Sequence, residues 1–370
     1  MSFAVNFLPE PKYQHGSISK TGILLVNLGT PESPTPASVR RYLKEFLWDP
    51  RVVEIPRLAW WLILNGIILN VRPAASARKY AAIWTKEGSP LRVHTERQTR
   101  LLAGFLGNQV HSPVKVEWAM RYGAPSIEQG MNSLKTAGCD RILVLPLYPQ
   151  YAASTTASTF DAVSGFLAKV RNVPAVRMVR SFHDHPAYIG ALAASIRKAW
   201  GNDGPPGMLL MSFHGLPRYT LERGDPYHCE CLKTARLVAE ALHLPEGKWK
   251  VSFQSRFGRT EWLKPYTSEV LDLLAKGGTR RVDVACPGFV SDCLETLEEI
   301  GMEGKSQFLR AGGKDFRLIP CLNEDEAWIN ALVEISREHL AGWLSESWNA
   351  ASAGQIAAES ARRARALGAK

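Results

Sequence analysis

The 370-residue sequence lacks several features that mark common protein classes. Its six cysteines include no CxxC pair, which is typical of buried thiols in a reducing cytoplasm and not of a disulfide framework. The first twenty residues are polar and interrupted by proline, so a secretory signal is not expected. No GxGxxG follows the first strand-like run, and 301–306 lacks GxxxxGK spacing. Nucleotide-driven chemistry is therefore not expected.

Long hydrophobic runs are also scarce. The segment 58–71 is strongly apolar, but Asn65, Gly66 and Asn70 interrupt it. It is shorter than the roughly 20 residues that a membrane-spanning helix needs. Two interpretations stay open: a buried helix, or an exposed apolar lip that touches a membrane surface or a large flat ligand.

The charge balance is basic, with a net charge of +10 and a pI of about 9.3. Such a balance is compatible with nucleic acid, an anionic membrane or an acidic small molecule. Lysine and arginine are scattered and no nucleic-acid motif is present, so nucleic acid is the least expected partner. The length and the 45% apolar content indicate a globular chain long enough for two domains.

Apolar, β-rich runs alternate with amphipathic, helix-like stretches, which is typical of βαβ units and parallel sheets. Eight such runs are found, at 22–29, 114–122, 141–149, 175–182, 208–214, 250–256, 281–289 and 316–322.

The two halves of the chain match in order. The segment NLGTP at 27–31 is similar to FHGLP at 213–217, and MRYG at 120–123 is similar to SRFG at 255–258. We therefore predict an α/β fold of two similar Rossmann-like domains with four-stranded parallel sheets, related by an internal repeat, around a shared cleft. The predicted parts are an N-terminal arm (1–20), a first domain (21–185) with an insertion at about 35–95, a second domain (186–345) and a frayed or loosely helical tail (346–370).

The strongest candidate site pairs His214 with Glu295. His214 ends a strand, and Glu295 lies in a predicted helix that opens at Ser291 or Asp292. Open α/β sheets place their chemistry at the carboxyl ends of their strands. An imidazole that faces a carboxylate there can bind a divalent metal, move protons, or do both.

Acidic residues continue behind Glu295. Asp292, Glu295, Glu299 and Glu303 are spaced 3, 4 and 4 residues apart, which would place them on one face of an α-helix. The face is either a solvated surface or a cation path into the cleft. Gly301 is a candidate for the end of this helix, so whether Glu303 belongs to the same face stays open.

Two other groups resemble metal ligands. His183 and His185 precede Pro186, so a helix N-cap is favoured over metal binding. The HCEC segment at 228–231 has no second ligand pair nearby to complete a tetrahedral zinc site.

With these residues in view, the chain resembles the ferrochelatase family from about Thr21 to Leu340. The motifs that carry the resemblance are LPLYPQYAASTT at 145–156, SFHGLP at 212–217, GDPY at 224–227, FQSR at 253–256 and SDCLETL at 291–297. The resemblance implies two Rossmann-like halves around a cleft. It also implies a lyase that inserts Fe²⁺ into protoporphyrin IX, releases two protons and forms protoheme, the last step of haem biosynthesis, without ATP.

The resemblance also implies roles for residues. His214 and Glu295 match the metal-site and proton-transfer residues, and we expect Glu299 behind them to join in metal binding. Segment 58–71 matches a lip that admits porphyrin and, in some members, rests on the membrane. The residues that match porphyrin contacts or the pocket lining are Arg72, Tyr80, Ser89, Arg121, Tyr122, Tyr148 and Trp262.

Three positions differ between family members. Ala153 stands where members with an iron–sulfur cluster have a cysteine, and no cysteine follows Cys321, so no cluster is expected. Cys293 stands where many relatives carry histidine. Leu28 replaces the tyrosine of coproporphyrin-using relatives and favours protoporphyrin. We expect no cofactor beyond the substrate Fe²⁺, and a cytoplasmic enzyme with peripheral contact on the inner membrane through 58–71.

The chemistry requires a bent ring and the removal of two pyrrole protons. A rigid apolar cleft can impose the bend from binding energy gathered over the macrocycle. A neutral His214 can accept a pyrrole proton, and Arg72 is the best candidate partner for the propionates. Two alternatives stay open: a sibling chelatase that inserts cobalt or nickel into another tetrapyrrole, and a non-enzymatic haem or porphyrin carrier.

Overall fold

The computed structural model describes residues 7–258, 260–345 and 347–369. Two four-stranded parallel sheets organise these residues. The first has the order β2-β1-β3-β4, with β1 (Lys20–Gly29), β2 (Val114–Tyr122), β3 (Cys139–Pro146) and β4 (Ala175–Met178). The second has the order β6-β5-β7-β8, with β5 (Met208–His214), β6 (Trp249–Gln254), β7 (Arg281–Ala285) and β8 (Asp315–Leu318). The identical strand order confirms the predicted fold and its internal repeat.

Helices connect the strands and flank the sheets. The α-helices are α1 (Pro36–Trp48), α2 (Arg57–Ile63), α3 (Leu69–Ile83), α4 (Pro90–Gly107), α5 (Ile127–Thr136), α6 (Ser158–Leu167), α7 (Pro186–Trp200), α8 (Arg218–Glu222), α9 (Tyr227–Ala241), α10 (Thr267–Lys276), α11 (Lys305–Arg310), α12 (Glu326–His339) and α13 (Ala350–Ala366). A short 3₁₀ helix spans Gly201–Asp203. The π-helical segments are Leu64–Ile68, Ala153–Ala157 and Glu295–Gly304.

The central strands β1 and β5 are buried along almost their whole length. Parallel sheets covered on both faces require such continuous apolar runs, which is why the pattern was readable in the sequence. The largest buried cluster joins residues of both sheets, such as Leu25 and Met211, with helical residues such as Trp328. The two halves therefore share one core. The domain boundary at 185/186 stays a prediction.

The insertion between β1 and α4 forms a helical lip. Helix α2, a π-helical turn and α3 run together as Arg57–Ile83, which is long and apolar enough to span a membrane by length and composition. One face of this lip is buried and includes Trp60, Leu64 and Leu69. The other exposes large apolar side chains, namely Leu58, Trp61, Leu62, Ile67 and Val71. Each of the two interpretations of 58–71 thus describes one face of the segment.

The N-terminal arm and the tail meet. Helix α13 in the tail is capped by Asn349, whose side chain accepts a hydrogen bond from the Ser352 backbone N–H. Gly16 of the arm, with φ of +72°, lies so close that a Cβ there would be 2.1 Å from the Ala357 carbonyl oxygen. Only glycine fits this approach. Residues 1–6 of the predicted arm, and Glu346 and Lys370 of the predicted tail, lie outside the described residues.

Candidate active site

His214 ends β5 with its imidazole half-buried. Its Nδ1 lies 2.6 Å from the Gly215 carbonyl oxygen. Because a carbonyl can only accept, Nδ1 carries the proton and Nε2 keeps its lone pair. The turn after the strand therefore leaves His214 with one nitrogen free for a proton or a metal ion.

The turn after His214 tolerates only glycine. The Gly215 backbone N–H donates to the Gln254 carbonyl oxygen at 2.7 Å. A Cβ on Gly215 would lie 2.7 Å from that oxygen and 3.1 Å from Cε3 of Trp262. Close packing thus brings Trp262, a predicted pocket residue, next to the turn that carries His214.

Gln254 joins the histidine strand to the glutamate helix. Its buried amide Nε2 donates to the Glu295 carbonyl oxygen at 2.9 Å, and its Oε1 accepts from the Ser212 hydroxyl at 2.7 Å. These bonds set the position of Glu295 relative to β5, although the two segments are remote in sequence. The sequence analysis quoted Gln254 in a motif but assigned it no role. The available signal was a polar side chain at the carboxyl end of a buried strand.

Glu299 is held by Ser255. The Ser255 backbone N–H donates to one carboxylate oxygen at 2.7 Å, and the hydroxyl donates to the other at 2.5 Å. Burial raises the pKa of Glu299, and the nearby Glu295 charge raises it further, while the Ser255 bonds and His214 oppose the shift. His214 and Glu295 therefore each lie within electrostatic reach of Glu299. Their chemical roles stay predictions.

The helix that carries the acids differs from the prediction. Residues Glu295–Gly304 form a π-helix that continues directly into α11, so Gly301 does not end it. The N-cap residue is Leu294, without a side-chain cap, and neither Ser291 nor Asp292 has that position. A π-helix bonds residue i to residue i+5, so the spacing rule of the α-helix does not hold in it.

The acids consequently divide into separate groups. Glu298 and Glu303, five residues apart, both accept hydrogen bonds from Lys79 Nζ, at 3.0 Å and 2.8 Å. Asp292 lies before the π-helix and accepts from Thr296 Oγ1 and Asn323 Nδ2. The prediction that Asp292, Glu295, Glu299 and Glu303 share one face is therefore wrong.

The lip helix α3 packs against the π-helix that carries Glu295. Burial, then the proximity of Glu295 and Cys293, raise the pKa of Tyr80 well above its usual range. Burial and the Glu295 carboxyl also raise the pKa of Cys293. The residue found where relatives carry histidine is thus a neutral, buried thiol beside Glu295.

Tyr42 of α1 is a buried residue near Glu295 that the sequence analysis missed. Its ring packs edge-on to Tyr80 with a centroid separation of 6.4 Å. Burial, then proximity to Tyr80, Glu295, Tyr122 and Tyr148, raise the pKa of Tyr42 well above its usual range. Tyr42 therefore lies where predicted residues of the first half approach Glu295 of the second half. The apolar pattern of an amphipathic helix contained no signal for this role.

Arg121 and Tyr122 at the end of β2 are engaged by Asp49. The Asp49 carboxylate accepts from Arg121 Nη2 at 2.6 Å, from the Tyr122 hydroxyl at 2.9 Å and from the Ser158 hydroxyl at 2.6 Å. Burial alone would raise the pKa of Asp49, but these donors, the Arg51 backbone N–H and the Arg121 charge together lower it. The network ties the end of α1 to the first sheet.

Of the remaining predicted residues, Arg72 is exposed, whereas Ser89 and Tyr148 lie within the fold. The Arg72 guanidinium stacks 3.9 Å from the Phe257 ring centroid, across the gap between the lip and the second half. Ser89 is buried and accepts a hydrogen bond from the Thr30 hydroxyl at 2.8 Å. Burial and the nearby Tyr122 raise the pKa of Tyr148.

The other histidine group acts as a cap. His185 is the N-cap of α7 and its Nδ1 accepts from the Ala187 backbone N–H at 3.3 Å, which confirms the predicted cap. Its Nε2 lies 3.3 Å from a Glu338 carboxylate oxygen but makes no hydrogen bond. His185, Glu334 and Glu338 are the one group of three potential ligands that lie close together in the described part of the chain. Neither His183 nor the 228–231 segment belongs to it.

Comparison with known proteins identifies close relatives. The sequence profile described as Ferrochelatase matches residues 20–340. A ferrochelatase from Aromatoleum aromaticum is 60% identical over 364 residues, which cover 98% of this chain and 99% of that protein. A ferrochelatase from Chromobacterium violaceum is 61% identical over 337 residues, covering 91% and 93%.

Solved structures with a similar fold are chelatases. The sirohydrochlorin chelatase SirB from Bacillus subtilis subspecies spizizenii, in complex with cobalt, matches with a TM-score of 0.51 and 13% identity, covering 86% of this chain and 95% of that chain. SirB from Bacillus subtilis with Fe³⁺ matches with a TM-score of 0.50 and 17% identity, covering 87% and 96%. At these identities the likeness shows the fold alone.

Proposed function

The chain belongs to the ferrochelatase family, and from this premise we propose how its residues insert Fe²⁺ into protoporphyrin IX to form protoheme. The enzyme is a lyase of haem biosynthesis, and the reaction releases two protons. The observation that carries the proposed mechanism is the approach of Glu299 to both His214 and Glu295, with Glu295 fixed by Gln254 and Glu299 by Ser255. A cobalt or nickel chelatase and a porphyrin carrier are not favoured.

In this proposal His214 is the base. Its Nδ1–H is bound to the Gly215 carbonyl, so the Nε2 lone pair can accept a pyrrole proton. The pyrrole nitrogen keeps the electron pair of the broken N–H bond and can then bind the metal. Glu299, whose pKa burial raises, is a nearby carboxyl that can take the proton onward.

Glu295 and Glu299 hold the incoming iron. Carboxylate oxygens and an imidazole nitrogen form a donor set suited to a divalent first-row metal ion. Glu295 is positioned through its own carbonyl by Gln254, and Glu299 through its carboxylate by Ser255. Each glutamate thus has a fixed starting position. Binding of Fe²⁺ would draw the two carboxylates and His214 together, because these three are not a group whose ligand atoms lie within 4.8 Å of one another.

The remaining predicted contacts bind and bend the macrocycle. Tyr42, Tyr80 and Tyr148 stay neutral because burial raises the pKa of each, so they present a rigid, uncharged wall. Binding energy over such a wall can force the ring out of plane. We assign Trp262 and Ser89 to the pocket lining, and Arg72 at the rim to a propionate. Arg121 and Tyr122 support the wall through Asp49.

We further propose that the enzyme uses no resident cofactor, neither an iron–sulfur cluster nor a nucleotide. Clusters are held by thiolates. Burial raises the pKa of Cys286, Cys293 and Cys321, which disfavours the thiolate form, and no cysteine follows Cys321 in the sequence. Ala153 occupies the position where cluster-bearing members have a cysteine.

The lip supports our proposal of a peripheral location on the inner membrane for an otherwise cytoplasmic enzyme. Its exposed apolar side chains include Leu58 at 78% and Leu62 at 59% exposure. A groove of about 420 Å³ between α1 and α2, with Trp48 and Trp61 among its lining residues, continues this surface. Exposed apolar groups of this kind gain free energy at a bilayer surface. The second half of the lip helix packs on the protein through Lys79 and Tyr80, so we propose surface contact and not a span.

A single-turnover absorbance experiment tests the mechanism. Wild-type enzyme with protoporphyrin should convert the free-base bands to metalloporphyrin bands when Fe²⁺ is added without oxygen. The His214→Ala variant should bind porphyrin almost normally and show no conversion. The exposed His111→Ala variant, as a matched control, should behave like wild type. Near-normal conversion by His214→Ala would contradict the assigned base.

A further inference from the structure

Lys79 makes an ion-pair bridge to the outer acids of the π-helix. Its Nζ lies 3.0 Å from Glu298 Oε2 and 2.8 Å from Glu303 Oε1. The lysine belongs to α3 of the lip, whereas both glutamates belong to Glu295–Gly304. The two acids are five residues apart on this helix, and Lys79 reaches both of them.

The burial of the three groups differs, and this matters for the energetics. The Glu298 side chain is 10% exposed, that of Lys79 43% and that of Glu303 58%. A nearly buried carboxylate needs a compensating cation, since an unpaired buried charge is costly. If Lys79 were absent, Glu298 and Glu303 would converge on one point with no cation between them. Hard divalent ions prefer this oxygen donor arrangement.

Glu298 is adjacent in sequence to Glu299, which belongs to the inner pair with Glu295. If Glu298 and Glu303 could bind a cation, this second site would lie next to the iron-binding carboxylates in the sequence. It would compete with them for Fe²⁺. An ammonium group fixed to α3 is present at a high effective concentration and is not exchanged with the solvent.

We propose that Lys79 is a specificity-determining residue whose ammonium group occupies the outer acid pair, so that Fe²⁺ is directed to Glu295 and Glu299. This inference rests on the proposed role of those two glutamates. Lys79 acts without touching iron or porphyrin, because it removes a competing cation site beside the inner pair of acids.

Counting bound Mn²⁺ on porphyrin-free, full-length protein by electron paramagnetic resonance tests the inference directly. Lys79→Gln should bind one more Mn²⁺ than wild type, because the outer pair becomes free. The double variant Lys79→Gln/Glu303→Gln should lose the additional ion, and it also restores the charge balance if the single variant folds poorly. Lys115→Gln is the matched control, since it removes one lysine from a half-exposed pair with Glu117 at 3.2 Å and should leave the count unchanged.

Steady-state kinetics separate this role from a merely structural one. Lys79→Gln should raise the KM for Fe²⁺ about three- to tenfold, leave kcat and the porphyrin KM near wild type, and be rescued by Lys79→Arg. An unchanged Mn²⁺ count, or a change in the porphyrin KM or kcat with an unchanged iron KM, would overturn the inference. The proposed role of the inner pair fails separately, if Glu295→Gln leaves the rate at limiting Fe²⁺ unchanged.

Discussion

Ser255 donates two hydrogen bonds to the Glu299 carboxylate, from its backbone N–H at 2.7 Å and from its hydroxyl at 2.5 Å. Ser255 makes this bidentate contact from a left-handed backbone with φ of +66°. For a residue with a Cβ this conformation costs about 1–2 kcal/mol. Backbone strain of this kind is concentrated at functional sites, where the surroundings hold it in place.

The strained serine gives an unusual order of stability. Ser255→Ala loses the hydroxyl bond but keeps the strain, so we expect the free energy of unfolding to fall by about 1–3 kcal/mol. Ser255→Gly loses the same bond but relieves the strain, so it should be about 1 kcal/mol more stable than the alanine variant. Urea unfolding measures both. An alanine variant as stable as the glycine variant would show that the left-handed backbone at position 255 does not lower the free energy of unfolding.

Ionisation of Glu299 should make stability depend on pH. Burial raises its folded pKa above the ordinary 4.5, so its favourable contribution is complete below about 4.5 and is lost as pH rises through the folded pKa. Glu299→Gln cannot ionise, and its stability relative to wild type should therefore improve as pH rises from 4.5 to 8. Thermal unfolding across this range checks the trend. A flat difference for Glu299→Gln would refute the assigned burial effect.

Asp49 is expected to be the main support of Arg121. Asp49→Asn leaves the partly buried guanidinium without its counter-ion, and should lower the free energy of unfolding at pH 7 by about 3 kcal/mol. Because the folded pKa of Asp49 is lowered, wild type holds this stability above about 3.8 and loses it as pH falls through the folded pKa. The gap between the two proteins should therefore narrow in acid. Asp161→Asn, which breaks an exposed pair with Arg51, should cost less than about 1 kcal/mol.

Arg72 should distinguish charged from neutral porphyrins. Its guanidinium lies at the rim over Phe257, where an arriving propionate can pair with it. Arg72→Met should raise the KM for protoporphyrin about tenfold and leave the KM for its dimethyl ester unchanged. Arg78→Met, at an exposed position of the same helix, serves as the control. Equal effects on acid and ester would assign Arg72 a packing role.

The lip prediction can be tested on vesicles. Leu58→Asn/Leu62→Asn removes two exposed apolar side chains, each of which gains up to about 1.5–3 kcal/mol on full burial. We expect co-sedimentation with phospholipid vesicles to fall at least tenfold, with activity on solubilised porphyrin retained. Leu273→Asn replaces a leucine that is 70% exposed on α10, outside the lip, and should bind like wild type. Unchanged vesicle binding of the double variant would exclude the lip as the contact surface.

Much of the fold was readable from local pattern. Apolar runs such as β1 and β5 must be continuous because parallel strands are buried on both faces, and their repetition predicted two like sheets. His214 was predictable for the same reason, since it lies where a buried strand ends and its chain turns. The local sequence determined the strands and the position of His214, because strand burial and turn formation depend on residues that are neighbours in the chain.

Only the tertiary structure decided which groups meet at the site. The bonds from Gln254 to Glu295 and from Ser255 to Glu299 join segments remote in the chain, and no local pattern encodes such pairs. The α-helical spacing rule placed Glu303 with Glu299, whereas the π-helix paired it with Glu298 at Lys79. Helix register depends on the hydrogen bonds that the surrounding fold permits. The sequence by itself therefore determined the architecture and the histidine, and three-dimensional packing determined the arrangement of the carboxylates around it.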